Sequence, residues 1–351
     1  MVRKNFYFAV FVVSALLLAY PASMVAEMKK PVTIAELALY KGADRQRILE
    51  EGAKKEGKLG IYTSSGNVQT IAKNFEKKYP YIKVEVWYGA TSKVLPRVFE
   101  EYRAGRVLSD IVGLTQDGTL LMQEAGMLQP FYSPEIANIR DDAVTKAPGG
   151  GFYAAGHYMN GRGVGYNTKL ITKEQLPKTY RDLLDPKWKG KMVISGDTSA
   201  AGWMGTMLEL YGEDFVKQLA KQDFQVHMVS ARALLDMIVN GEYAWSPTIA
   251  DSHVDLAERK GAPVDWIPLE PVSCFLGQVV LHKRAAHPYA ALLYLDFDLK
   301  KESGEMFAQE GYFSPRKDVP LKRSYKTYFG PFTTQQAKKF DDLFAKLFIK
   351  K

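Results

Sequence analysis

KLGIYTSSGNVQTIAKNFEKKYPYIKVEVWYG, residues 58–89, is the stretch on which the fold turns. Residues 58–63 read as a strand. It runs into Ser64-Ser65-Gly66-Asn67 and then a helix with Val68, Ile71, Ala72 and Phe75 on one face. Ile82, Val84 and Val86 alternate with Lys83, Glu85 and Trp87, which predicts a second strand. Further on, a helix carries Val94, Leu95, Val98 and Tyr102, and DIVGL at 110–114 is a short apolar strand before Thr115-Gln116-Asp117-Gly118 and another helix. Strands alternating with helices imply βαβ units and a parallel sheet.

The middle of the chain repeats the pattern. Residues 191–195 form a strand, the turn 196–199 follows, and a helix runs from Ala200 to about Tyr211. Two more helices follow, then a strand at 243–249, a strand at 278–282, a helix at 285–300 and an amphipathic tail from 333. The expected fold class is α/β, with two lobes and a ligand cleft between them, each lobe a central, mostly parallel sheet flanked by helices.

Composition fits this and excludes much else. The chain has 351 residues, 46% hydrophobic and 25% charged, which suits a folded protein of about two domains. Its single cysteine, Cys274, excludes a disulfide framework and any metal cluster built on several thiolates. The net charge is +8, and no basic run is dense enough to argue for nucleic acid. Residues 1–26 read as a cleaved export signal: Arg3 and Lys4 precede an apolar run from Phe6 to Leu18, and Ala26 offers a small residue at the cut. No later segment is apolar enough to span a membrane, so the mature protein is expected in the periplasm without stable membrane insertion. No GxSxG, HExxH or P-loop motif occurs, so the expectation is no enzyme and no cofactor.

Three strand-to-helix turns are rich in small polar residues: 63–67, 115–118 and 197–201. Main-chain N–H groups at such helix starts can hold an anion. Thr63, Ser64, Ser65, Thr115 and Gln116 are therefore candidate ligand-binding residues, although Ser, Thr and Asp are also ordinary helix caps.

With these turns in view, the chain resembles the extracellular solute-binding proteins of ABC importers, in the branch that includes periplasmic ferric-binding proteins. The matching stretches are IYTSSGN at 61–67, SDIVGLTQDGTLLMQEAGMLQPF at 109–131, GRGVGYNTKLI at 161–171, LPKTYRDLLDPKWKGKMVISGDTSAAG at 176–202, HPYAALLYLDFDL at 287–299 and GYFSPR at 311–316. The resemblance implies a type II periplasmic binding protein. It places lobe 1 at 58–161 and 268–318, and lobe 2 at 162–267. An extension at 27–57 precedes them, and a tail at 319–351 packs on lobe 2. The chain should cross between the lobes near 160–164 and 268–273, and the closed form should be read by an ABC permease. The receptor is expected to be a monomer.

The resemblance also implies where ligands stand. Ferric-binding relatives use two adjacent tyrosines with a histidine and a glutamate. Here Asp251-Ser252-His253 follows NGEYAWSPTIA where the tyrosine pair would be, Ser64-Ser65-Gly66 replaces the histidine, and Thr115-Gln116 replaces the glutamate. Iron held in that manner is not expected. The set favours a small anion or organic acid instead. Arg162, Ser199, Ala200, Ser230, Arg232 and Asp251 join the candidates, and Gly161, Gly163 and Gly165 would let the backbone pass close to the ligand. The alternative is a metal receptor with substituted ligands Asp117, Asp251 and His253. Tyr153, Tyr158, Trp203 and Trp245 could stack on a ring-bearing ligand or simply pack.

Overall fold

In this computed structural model, described for residues 31, 33–196, 198–330 and 334–349, the backbone alone is described at 198, 199 and 334. The export signal expected at 1–26 lies outside the described residues. The described chain opens with α1 (Ile34–Leu39) and α2 (Arg45–Glu56), which ends on Gly57 at φ 65, a left-handed cap that glycine adopts at little cost. Then follow β1 (Lys58–Thr63), α3 (Val68–Lys78), β2 (Lys83–Tyr88), α4 (Thr91–Arg103), β3 (Ile111–Thr115) and α5 (Gln116–Glu124). β1 pairs in parallel with both β2 and β3, with Ile61 opposite Val86 on one side and Ile111 on the other. This is the βαβ arrangement that the alternation in the sequence implies.

Next come the short β4 (Leu128–Gln129) and β5 (Val144–Lys146), and then β6 (Phe152–Asn167), a strand of 16 residues. The second α/β unit is β7 (Val193–Ser195), α6 (Thr198–Tyr211), α7 (Glu213–Ala220) and β8 (Gln225–His227), with β7 and β8 parallel. It continues through α8 (Ala231–Val239), β9 (Trp245–Ala250), α9 (Asp251–Arg259) and β10 (Val264–Ile267). The chain ends with β11 (Val272–His282), α10 (Pro288–Asp298), α11 (Lys301–Gln309), β12 (Thr327–Tyr328) and α12 (Thr334–Phe348).

The large sheet is mixed, in the order β10-β6-β11-β3-β1-β2. It is parallel among β1, β2 and β3, and antiparallel where the long strands β6 and β11 join the two lobes. β6 carries the change of lobe. Its first part pairs with β11, with Arg162 opposite Ser273; from Arg162 onward it pairs with β9 and β10, with Arg162 opposite Ala250 and Val164 opposite Ile267.

Separate cores define the lobes. Leu49, Ile61, Phe75, Tyr294 and Phe307 belong to the first. Helices α1 and α2 contribute Leu37, Ala38, Leu49 and Ala53 to that core, so this segment is built into the lobe. Trp203, Met204, Phe215 and Trp245 belong to the second, together with Phe340, Phe344 and Phe348 of α12. Between them lies a third cluster that includes Met159, Ile249, Trp266, Val272 and Tyr325, around the crossing strands.

Candidate functional site

A cavity of about 530 Å3 opens where the lobes meet. The first lobe supplies Thr115 and the start of α5, Gln116 and Asp117; the crossing strands supply Arg162 and Ser273. Gly202 and Trp203 of α6 form the second-lobe wall, and Phe329, Phe340 and Asp341 close one side.

Arg162 reaches this place because of how β6 is buried. From Ala154 to Asn167 every residue is buried except Arg162, which is half-buried. The guanidinium thus stands at the position where β6 exchanges its β11 partner for β9. Its charge also acts on its surroundings. It favours the ionised forms of Asp251 and of the Tyr312 phenol, against the burial that pushes both pKa values up.

The neighbouring glycines have another role than the one expected. A Cβ on Gly161 would stand 2.7 Å from Val272 and 2.9 Å from the Tyr325 hydroxyl. On Gly163 it would meet Trp266 at 2.4 Å, and on Gly165 the Ile249 side chain at 2.6 Å. They let protein pack against β6, and are not spaces for ligand.

The first turn folds around itself. Thr63 is fully buried, and its hydroxyl accepts from the Ser65 N–H at 3.0 Å, while the Ser64 N–H donates to the Gly113 carbonyl at 2.9 Å. The Ser64 and Ser65 hydroxyls are buried beside the Tyr158 phenol, short of a well-formed hydrogen bond. Tyr158 stacks edge-on with Tyr312 at 4.7 Å between centroids, and burial pushes its phenol well above its ordinary pKa. Thr63, Ser64 and Ser65 are not among the residues lining the cavity.

The other candidates divide. Thr115, Gln116 and Asp117 line the cavity. On α6, Ala200 is buried away from it, and the lining passes instead to Gly202 and Trp203; the Ser199 side chain and Asp197 lie outside the described residues. Ser230 caps α8, its hydroxyl accepting from the Ala233 N–H at 3.2 Å, and Arg232 follows in that helix; neither lines the cavity.

Asp251 is fully buried and held inside the protein. Its Oδ1 accepts from the N–H groups of Gly161 at 2.9 Å and Ser252 at 2.8 Å, and its Oδ2 accepts from the Tyr325 hydroxyl. It is therefore a structural acceptor beneath Arg162, outside the cavity lining. Asp251 and His253 fall in the first turn of α9, where residues two apart point to different sides. With Asp117 in the cavity wall and Asp251 so engaged, the three metal candidates are not brought together. Among the described residues, no three histidine, cysteine, aspartate or glutamate side chains are grouped to hold a metal ion.

Of the four aromatics, Trp203 alone lines the cavity; Trp245 packs on Trp188 at 4.8 Å. Sequence reasoning missed Ser273 and Phe275 on β11, Phe329, and Phe340 and Asp341 on α12. The Phe340, Phe344 and Phe348 spacing was the available signal for α12, since residues four apart share a helix face.

The family described as bacterial extracellular solute-binding protein matches residues 110–330 of the chain. An uncharacterized protein of Haemophilus influenzae is 29% identical over 278 residues, covering 74% of this chain and 78% of that protein. Iron-bound HitA from Pseudomonas aeruginosa superposes with a TM-score of 0.70 at 18% identity, over 83% of this chain and 99% of HitA. AfuA from Actinobacillus pleuropneumoniae, solved with exogenous fructose-6-phosphate bound, superposes with a TM-score of 0.66 at 23% identity, over 84% of this chain and all of AfuA (100%). At these identities the two solved structures bear on the fold.

Proposed function

This chain belongs to the bacterial extracellular solute-binding protein family, and we propose that it is a non-catalytic receptor that captures a small anionic solute between its lobes. The observation that carries this reading is Arg162, half-buried at the point where β6 changes lobe and lining an interlobe cavity of about 530 Å3. That volume is in the range of small-molecule sites, roughly 300–1,000 Å3. The start of α5 faces the same space, and helix starts favour negative charge. Fructose-6-phosphate in AfuA supports a solute with an anionic group.

The receptor works by closure. Lobe 1 comprises 58–161 and 268–318 with α1 and α2, and lobe 2 comprises 162–267 with α12. The lobes rotate about β6 and β11, and the closed form is handed to an ABC permease. Residues 1–26 act as a cleaved export signal that delivers the monomer to the periplasm. Among the described residues no helix is long and apolar enough to cross a membrane. A ferric or other metal receptor is the second reading, drawn from iron-bound HitA. It has less support, since Asp251 is committed to Gly161, Ser252 and Tyr325.

Replacing Arg162 tests the first reading. A charge-assisted bond contributes roughly 1.5–3 kcal/mol, so Arg162→Ala should weaken binding of the solute found in the cleft by about ten- to a hundredfold. Arg162→Lys should recover only part, because the fork is lost. Calorimetry reads the affinity, and melting curves of the empty forms read stability. If Arg162 merely joins the lobes, the alanine variant melts lower and binds as before, and the reading fails.

A further inference from the structure

Among the described residues, three charged side chains line the cavity: Arg162, Asp117 and Asp341. The wall therefore carries one more negative charge than positive. A wall of that sign disfavours a solute that is only an anion, because each like charge opposes its entry. Arg162 accounts for an anionic group, and the two carboxylates call for a cationic one.

The carboxylates come from opposite lobes. Asp117 stands in the first turn of α5, and Asp341 on α12, whose phenylalanines are built into the second-lobe core. The two helices touch. Burial, the Asp342 carboxylate and the Asp117 carboxylate push the Asp341 pKa up, so the charges acting on Asp341 are both negative. Asp117 is half-buried and Asp341 is exposed, so both are open to an incoming solute. An acid in a first turn also complements the helix start, but that does not call for a second acid facing it from the other lobe.

Facing carboxylates on two lobes oppose closure, since their repulsion grows as they approach. A cation between them reverses the sign, and closure then brings two attractive charges onto it. A bare metal ion is poorly served, because among the described residues no third histidine, cysteine, aspartate or glutamate joins the pair. A protonated amine has three N–H groups to donate and suits two carboxylates. Phe275, Phe329 and Phe340 line the same cavity and give an apolar wall for the carbon chain between the two charged ends.

We propose that the solute of this cavity is zwitterionic: Arg162 holds its carboxylate or phosphate, and Asp117 and Asp341 hold its protonated amine from opposite lobes as the cleft closes. This rests on the reading of the cavity as an anion-receptor site, and it names the class of solute that the site selects.

Two matched pairs of probes test it on the exported protein: 4-aminobutyrate with butyrate, and phosphoethanolamine with ethyl phosphate. Within each pair the amine is the main difference. Calorimetry near neutral pH should show the amine-bearing member of at least one pair binding roughly ten- to a hundredfold more tightly than its partner, the gain expected from a charge-assisted bond. The double variant Asp117→Asn, Asp341→Asn should remove that preference, and Arg162→Ala should weaken both members. If both members of a pair bind in an Arg162-dependent way and the amine brings no gain, the inference is overturned and the anion reading stands. The inference is overturned in the same way if the double variant keeps the preference for the amine. If no probe binds at millimolar concentration, or if binding survives Arg162→Ala unchanged, both are overturned.

Discussion

Burial governs the chemistry of single residues here, and Asp251 is the clearest case. Removal from water pushes its pKa up to about 6, against the Tyr325 hydroxyl, the Gly161 and Ser252 N–H groups and the Arg162 charge, which pull it down. The folded state therefore holds this proton more tightly than the unfolded chain does. Its stabilising effect is complete below the ordinary carboxylate range and is lost as pH rises through about 6. His282 behaves oppositely: burial lowers its pKa to about 4, so stability falls as pH drops from its ordinary value of 6.5 toward 4. In Asp251→Asn the Asp251 contribution disappears, and the amide oxygen can still accept from Gly161 and Ser252. The difference in melting temperature, variant minus parent, should grow as pH rises from about 4 to about 7. Parallel melting curves across that range would show that Asp251 does not titrate there.

At the level of elements, α12 is the piece that joins core to cavity. Its Phe340 ring lies 2.3 Å from where a Cβ on Gly205 would stand, so the helix rests directly on the backbone of α6. The same residue lines the cavity, and α12 also touches α5 of the first lobe. Phe340→Ala should cost roughly 3–5 kcal/mol, as large aromatic truncations in cores do, and should weaken solute binding by widening the cavity. Chemical denaturation checks the first effect; a loss well under 1 kcal/mol would mean that α12 is dispensable to the second-lobe core. Legibility also differed by element. Helices α3 and α4 could be read because one face of each is apolar and the other polar, and β1 and β3 because each is a short, mostly apolar run that ends in a polar turn. β6 could not be read as one strand: FYAAGHYMNGRGVGYN is buried on both faces, so alternation is absent, and its glycines suggest a loop. Likewise Thr63, Ser65 and Ser230 carry the right side chains for a ligand, but local backbone N–H groups claim two of them.

For the whole molecule, two lobes on crossing strands and a cavity at their junction make one device. Strand–helix alternation is a local signal and points to the α/β lobes, while Arg162, which lines the cavity, was singled out through the family resemblance of the segment 161–171. Neither identifies the cavity wall, because Arg162, Ser273, Trp203 and Phe340 are brought together only by the sheet register and by the packing of α12. Net charge does not choose the ligand either: the chain carries +8 overall, whereas the cavity lining sets the Arg162 guanidinium against the Asp117 and Asp341 carboxylates. Native mass spectrometry of the exported protein, purified without added solute and compared with Arg162→Ala, tests the anion-receptor account most directly. The parent should carry a bound carboxylate or phosphate compound that is lost from the variant. A bound metal ion in its place, or the same compound retained by Arg162→Ala, would contradict it.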